Sequence, residues 1–161
     1  MKIDLNDWVS SPQELKSLLM GVRSYAHWYA QTTVKMKVTK DMSQTAPAVS
    51  QAVTDLLNTW FSQTPPSQTG LDELLALLQK FESTAPRITI TLAAAAPESL
   101  KKQLTNWCRQ NIDPNLLVDY RFSSTILGGM VIRHRSHVYD WSFKRQIMAN
   151  RANFPEVLRR V

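Results

Sequence analysis

The chain has 161 residues, of which 43% are hydrophobic and 20% are charged, which predicts one compact domain or two small ones and excludes a wholly disordered protein. Its 19 Lys and Arg against 13 Asp and Glu give a formal charge of +6, which favours an acidic protein, nucleic acid or an anionic membrane surface as partner. No apolar run approaches the roughly 18–20 residues that a membrane-spanning helix needs.

The first half of the sequence is predicted to be helical. Ser11-Pro12-Gln13-Glu14 is a capping box with proline at the first helical position, and the apolar stripe that follows predicts a helix from about Pro12 to Thr33. Similar stripes predict a second helix from about Val49 to Phe61 and a third from Leu71 to Phe81. With a candidate short helix at Ile3 to Val9, residues 1–85 are predicted to form a small helical bundle.

The second half changes character after Pro86. Residues Arg87 to Leu92 alternate with period two and are rich in β-branched side chains, which predicts a strand. Pro97 opens a helix, Leu116 to Phe122 form a second strand, and a short polar turn between residues 129–133 and 137–141 predicts a hairpin. Ser142 is expected to cap a last helix, which Pro155 ends. The fold class is therefore α+β: a helical bundle, then a small β-α-β-β-β-α domain over residues 86–161.

The aromatic residues and the lone cysteine are placed by helical periodicity. The helix after Pro97 carries Leu100, Leu104, Trp107, Cys108 and Ile112 on one face. We therefore expect Trp107, and likewise Trp60, to lie in the core, and Cys108 to be a buried thiol. Trp8, Trp28 and Trp141 have no clear place in a stripe, and exposed aromatic residues often anchor interfaces.

No pattern of catalytic or metal-binding residues stands out. His134 and His137 lie across the predicted turn beside arginines, with no third ligand evident, so we interpret them as part of an exposed basic turn. Gly128-Gly129 lacks the lysine of a phosphate loop and the third glycine of a dinucleotide fingerprint, and is expected to make a bend or a close backbone contact. The acids Asp119 and Asp140 are isolated. We predict no catalytic residue, metal or cofactor.

Positive charge is concentrated towards the C-terminal end of the sequence. The residues are Arg133, Arg135, Lys144, Arg145, Arg151, Arg159 and Arg160. With Tyr139 and Trp141 nearby, this cluster leaves open a nucleic-acid-binding adaptor, which would grip a phosphate backbone and stack bases. No glycine-rich RNA-binding loop or RNP-like aromatic strand is present, so an acidic protein partner is the preferred interpretation.

Part of the second half resembles a known family. The run from Ser123 to Arg133, followed by Val138 to Ser142, is similar to the C-terminal signature of ATP synthase delta subunits, whose mitochondrial counterpart is the oligomycin-sensitivity-conferring protein. That signature is an aliphatic-Gly-Gly strand, a polar turn, and a second strand that ends Asp-x-Ser before a closing helix. The resemblance covers about Arg87 to Ala149. In the first half, Arg23-Ser24-Tyr25-Ala26 is loosely similar to the Arg-Tyr-Ala pattern in the first helix of that family.

The resemblance implies a mechanical function rather than an enzymatic one. The helical domain would bind the N-terminal segments of alpha subunits, and the α/β domain would hold peripheral-stalk b-type helices. The protein would then be peripheral at the cytoplasmic face of the plasma membrane, attached only through the complex, with no nucleic acid. A first segment with Asp4 and Asp7 and no secretory apolar core agrees with a cytoplasmic location. The candidate partner-binding residues are Leu127, Gly128, Gly129, Met130, Ile132, Phe143 and Ile147, with ordinary core packing as the alternative for each.

Overall fold

The computed structural model describes residues 5–39, 46–62 and 65–151. By its internal contacts the chain divides into two compact units, Met1–Ala85 and Pro86–Val161. Helices make up the first unit, and a four-stranded mixed sheet with helices makes up the second. The fold is therefore α+β, as predicted. None of the helices in the described residues is both long and apolar enough to cross a membrane.

The first unit consists of a short 3-10 turn, Leu5–Asp7, and three helices: α1 (Pro12–Thr39), α2 (Gln51–Trp60) and α3 (Gln68–Thr84). The predicted capping box starts α1. The Ser11 hydroxyl accepts a hydrogen bond from the backbone N–H of Glu14 at 3.2 Å, and the Glu14 carboxylate accepts from the backbone N–H groups of Ser11 at 3.3 Å and Ser10 at 2.7 Å. These bonds satisfy N–H groups that have no partner within the helix.

The first helix runs past its predicted end at Thr33. Val34 and Met36 are 61% and 40% exposed, so burial of these two side chains does not hold the helix beyond Thr33. The segment contains no proline or glycine, and its lysines and methionine are good helix formers. The apolar stripe marks only the part of the helix that packs against the bundle, so it does not predict how far the helix continues beyond that part.

The core of the first unit is formed by the apolar stripes of all three helices. The most completely buried side chains are Leu15, Val22, Val53, Leu56, Leu71, Leu74 and Leu78. The Tyr29 hydroxyl donates to the Pro66 carbonyl at 2.6 Å, which ties the loop between α2 and α3 to α1. Trp60 Nε1 at the end of α2 donates to the Gly70 carbonyl in the first turn of α3 at 3.0 Å. Trp60 is only partly buried, so its ring is at the border of the core.

The second unit contains strands β1 (Arg87–Leu92), β2 (Leu117–Phe122), β3 (Gly129–His134) and β4 (His137–Ser142). It also contains helices α4 (Glu98–Asn111) and α5 (Phe143–Ala149), and a 3-10 turn at Ser124–Ile126. The strand order is β2-β1-β3-β4. β1 and β2 are parallel and are joined through α4, whereas β3 is antiparallel to both β1 and β4. The predicted β-α-β-β-β-α order and the hairpin are confirmed.

One face of the sheet packs under α4. Its core contains Ile88, Ile90, Val118 and Ile132 together with Leu116 and Cys108. The Tyr120 hydroxyl is 3.1 Å from the Thr105 hydroxyl and donates to the Lys101 carbonyl at 2.8 Å, which ties α4 to β2. Cys108 is 1% exposed, and burial raises the pKa of its thiol. The prediction of a buried core thiol is therefore confirmed.

The prediction for Trp107 is wrong. Its side chain is 51% exposed, and Leu100 and Ile112 of the same apolar stripe are 40% and 47% exposed. The residues of α4 that are buried are Thr105 and Cys108. At 3.6 residues per turn, Leu100 and Trp107 lie on average about a third of a turn away from this pair. The sheet therefore covers the stripe of Thr105 and Cys108 and leaves that of Leu100 and Trp107 at the surface.

Candidate partner-binding site

The Gly-Gly pair lies at the entry to β3 in a backbone that side chains rarely adopt. Leu127, Gly128 and Gly129 have φ angles of 62°, 156° and 77°. A Cβ atom on Gly129 would collide with the carbonyl oxygen of Trp141, and one on Gly128 would collide with the Phe143 ring. The glycines therefore permit a close approach between the start of β3 and the end of β4, as the sequence predicts.

The Asp140-Trp141-Ser142 segment builds the start of α5. The Asp140 carboxylate accepts a hydrogen bond from the backbone N–H of Ser142 at 2.9 Å, and hydrogen bonding from Ser142 lowers the pKa of that carboxyl. Ser142 is 2% exposed, and its hydroxyl accepts from the Arg145 N–H at 3.3 Å. The predicted cap at Ser142 is confirmed. The Phe143 N–H donates to the Gly128 carbonyl at 3.0 Å, which fastens α5 to the glycine turn.

Strand register places an exposed apolar surface on the hairpin. Met130 lies opposite Trp141, and Ile132 lies opposite Tyr139. Directly opposed residues point to the same face of a sheet, and Met130 packs against the core on the α4 side. The Phe143 ring continues this face, because it lies against Gly128, two residues before Met130. We call Met130, Tyr139, Trp141 and Phe143 the hairpin face.

The hairpin face remains open to solvent in the described structure. Tyr139, Trp141 and Phe143 are 48%, 51% and 53% exposed, while α4 packs on the β2 side of the sheet. The rings along β4 follow one another closely: His137 to Tyr139 is 6.4 Å between centroids, and Tyr139 to Trp141 is 6.2 Å. A contiguous exposed aromatic surface of this kind is typical of a binding site.

The predicted partner-binding residues divide into some that lie on or beside the hairpin face and one that lies in the core. Gly128 and Phe143 are in contact, and Met130 belongs to the same face. Ile132 is only 7% exposed and lies in the core, where it supports Tyr139 from the neighbouring strand. Leu127 is 68% exposed directly before the glycines. Ile147 is 45% exposed, one helical turn after Phe143 and on the same side of α5.

Tyr139 and Trp141 were not among the predicted docking residues, although the sequence contained a signal for them. A two-residue hairpin turn fixes the register, and this register pairs Trp141 with Met130 and Tyr139 with Ile132. The alternation of β4 then places both aromatic residues on the same face as the predicted Met130. Ordinary core packing accounts for Ile132, and in part for Met130, whereas the other side chains of the surface are exposed.

The positive charge of the chain belongs to the second unit. Residues 86–161 carry 12 Lys and Arg against 5 Asp and Glu, a formal +7, whereas residues 1–85 carry 7 against 8, a formal −1. Arg133, Arg135 and Arg145 are exposed on or beside the hairpin. Arg159 and Arg160, like Pro155, lie outside the described residues. The excess charge gives the second unit an electrostatic preference for an acidic partner.

The described part of the chain contains no group of three or more His, Cys, Asp or Glu residues arranged to hold a metal ion. His134 and His137 face each other as the last pair of the hairpin. Both are next to the turn at Arg135, whose φ is 54°. This is the basic turn that the sequence predicts.

Comparison of the sequence with models of known protein families finds no match, and comparison with curated proteins finds no similar sequence.

Proposed function

We propose that the chain is a non-catalytic stator subunit of a rotary F-type ATP synthase, similar to the delta family. In this proposal the second unit holds the C-terminal ends of peripheral-stalk b-type helices. The helical unit binds the N-terminal segments of alpha subunits on the catalytic head. The subunit then resists rotor torque as a mechanical link, for which no cofactor is required. It is peripheral at the cytoplasmic face of the plasma membrane through the complex.

The observation that carries the proposal is the hairpin face beside the Gly-Gly turn. The segment that resembles the delta signature, Leu127 to Ser142, is the segment that forms this exposed aromatic surface. Each element of the motif has a structural role here: the glycines leave room for the Trp141 backbone and the Phe143 ring, and the Asp-x-Ser ending starts α5. The motif therefore supports a surface rather than a reaction centre.

The geometry of the sheet favours a helical partner. A sheet buries its apolar face against another layer of secondary structure, and α4 supplies that layer on the β2 side. An amphipathic helix laid against Met130, Tyr139 and Trp141 would supply it on the hairpin side. Aromatic anchors of this type contribute most of the binding energy in many interfaces.

The charge of the second unit supports an acidic stalk partner. Its formal +7 attracts acidic residues beside the apolar stripe of a partner helix, and this attraction sets orientation and association rate more than affinity. Arg135, which is exposed in the hairpin turn, would lie beside such residues, whereas Arg133 pairs with Val138 on the opposite face.

Affinity purification from native membranes tests the proposal. A tagged chain is expressed in its own cells, the membranes are solubilised in mild detergent, and the co-purifying proteins are identified by mass spectrometry. We expect alpha, beta and stalk subunits of the synthase. Recovery of unrelated proteins, with no synthase subunit, would overturn the proposal.

A nucleic-acid-binding adaptor is the second candidate, because the β4 rings are spaced 6.2–6.4 Å apart in a unit of strong positive charge. Bases stack on exposed rings of this kind, and the phosphate backbone makes such binding weaken steeply as salt rises. Salt-sensitive retention of single-stranded RNA that is lost on Trp141→Ser substitution would favour this candidate over the stator.

A further inference from the structure

The outer edge of β4 carries backbone groups that a neighbouring strand would need. β4 ends the strand order of the sheet, and in the described residues no strand pairs with its outer side. His134 and His137 flank a two-residue turn, so they form a hydrogen-bonded pair, and this pattern recurs at every second residue. The hydrogen bond from the Phe143 N–H to the Gly128 carbonyl agrees with this alternation of bonded and non-bonded pairs. The backbone groups of Val138, Asp140 and Ser142 therefore point outward.

Two side chains of the same segment occupy part of this edge. The Asp140 carboxylate accepts from the Ser142 N–H at 2.9 Å, and the Arg145 guanidinium donates to the Asp140 carbonyl at 3.1 Å. Both backbone groups belong to the outward set. An incoming strand would have to displace a charged side chain from each of them before it could form a ladder.

Without these two side-chain bonds, the edge of β4 would be able to pair with a strand of another chain. β4 is six residues long, and its exposed residues include Val138, Tyr139 and Trp141. Exposed, unpaired edges with apolar side chains pair readily with other chains, and proteins block them with charges, prolines or bulges. β4 contains no proline, so the two charged side chains, Asp140 of β4 and Arg145 of α5, are what blocks this edge.

We propose that Asp140 and Arg145 close the edge of β4 against antiparallel pairing with the β4 strand of a second copy of this chain. In such a pair, centred on Asp140, the Asp140 carbonyl and the Ser142 N–H of each copy would bond to the other copy. These are the two groups that the side chains occupy. The closure keeps the chain from self-association, and because β4 also carries Tyr139 and Trp141, it keeps the hairpin face accessible.

Sedimentation of the full chain tests this inference independently of the proposed function. Dimerisation is measured by analytical ultracentrifugation for the wild type, for Arg145→Ala and for Asp140→Ala/Arg145→Ala. We expect the double variant to dimerise at roughly tenfold lower concentration or less, since two-fold symmetry frees four backbone groups. Lys144→Ala is the matched control, because Lys144 adds only to the electrostatic field at Asp140, and it should sediment as the wild type does.

A triple variant separates pairing along the β4 edge from non-specific association. Val138 lies on the edge but on the opposite face from Tyr139 and Trp141. Adding Val138→Lys to the double variant places a charge on the edge and should restore the wild-type distribution. Far-UV circular dichroism tests whether each variant is folded. If the double variant is not folded, Arg145→Ala alone replaces it, with a smaller expected decrease in the concentration at which the chain dimerises. A folded Asp140→Ala/Arg145→Ala variant that sediments as the wild type does would overturn the inference, as would association that Val138→Lys leaves unchanged.

Discussion

The ring of Phe143 lies against Gly128, and the Phe143 N–H donates to the Gly128 carbonyl at 3.0 Å. This contact joins the start of α5 to the turn that begins β3. The Gly-Gly pair and the Asp-x-Ser ending with Phe143 are separated along the sequence by the hairpin, and this contact explains why the sequence contains both. The same contact holds Phe143 at the glycine turn, at one end of the hairpin face.

Substitutions of the two glycines should differ in whether they can be rescued. Gly129→Ala should lower the free energy of unfolding by about 2–4 kcal/mol, because its φ of 77° is unfavourable for alanine and the added Cβ would meet the backbone of β4. Gly128→Ala would meet the Phe143 side chain instead. Urea denaturation should show that Phe143→Ala offsets part of the Gly128→Ala loss and none of the Gly129→Ala loss. Equal rescue of both would contradict this account.

The capping box of α1 should contribute measurably to stability. Glu14→Ala removes the acceptor of the Ser10 and Ser11 N–H groups, so the free energy of unfolding should fall by about 1 kcal/mol. Glu73→Ala in α3 is the control, because this acid is exposed on the helix surface, and its replacement should change stability by less than about 0.5 kcal/mol. Thermal or urea unfolding distinguishes the two; a Glu14→Ala loss no larger than that of Glu73→Ala would refute the role.

Stability should decline at alkaline pH through Cys108. Burial raises the pKa of its thiol above the ordinary value of 9.0, so the unfolded chain loses this proton first as the pH rises. The contribution of the protonated thiol is therefore fully present below about pH 9 and is lost as the pH rises towards the folded-state pKa. Urea midpoints between pH 7 and pH 10.5 measure the decline.

A variant isolates this effect from other titrating groups. Burial also raises the pKa of Tyr120, so Cys108→Ala should make the alkaline decline shallower without abolishing it. Because the alanine removes buried volume, its stability at pH 7 should be lower by about 1–2 kcal/mol. An identical pH dependence in the wild type and in Cys108→Ala would show that the thiol does not titrate as described.

Substitutions of exposed aromatic residues on the hairpin face should reduce partner binding with little effect on stability. Tyr139→Ser and Trp141→Ser replace side chains that are about half exposed, so each should change the free energy of unfolding by no more than about 1 kcal/mol. Both should sharply reduce co-purification of stalk subunits, since aromatic anchors dominate interface energetics. Val138→Ser, on the opposite face of β4, should preserve co-purification. Retention that is unaffected by Tyr139→Ser and Trp141→Ser would place the partner elsewhere.

Local signals in the sequence predicted most of the fold. The period-two alternation of Arg87 to Leu92 and the capping residues Ser11 and Ser142 act over a few residues, and the structure reproduces them. Trp107 could not be placed in this way. Its stripe on α4 is apolar, and periodicity alone cannot tell which of two neighbouring stripes contacts the sheet. The extension of α1 past Thr33 was hidden because Val34 and Met36 are exposed and do not continue the buried stripe.

The candidate surface was predicted only in part for a similar reason. The glycines indicated a close backbone approach, and Met130 was expected at the surface. Whether Tyr139 and Trp141 are covered depends on where α4 crosses the sheet, and that position is set by Thr105, Cys108 and Tyr120 from distant parts of the sequence. Alternation predicts that two residues share a face, but not which face remains open.

Photo-crosslinking from the hairpin face tests whether this surface binds a peripheral-stalk helix. A benzoylphenylalanine residue is introduced at Tyr139 on the hairpin face, or at Arg121 on the opposite face of the sheet, and native membranes are irradiated. We expect position 139 to crosslink to a peripheral-stalk b-type helix and position 121 to do so far less. Equal crosslinking from both positions, or a product from position 139 that contains only nucleic acid or an unrelated protein, would contradict it.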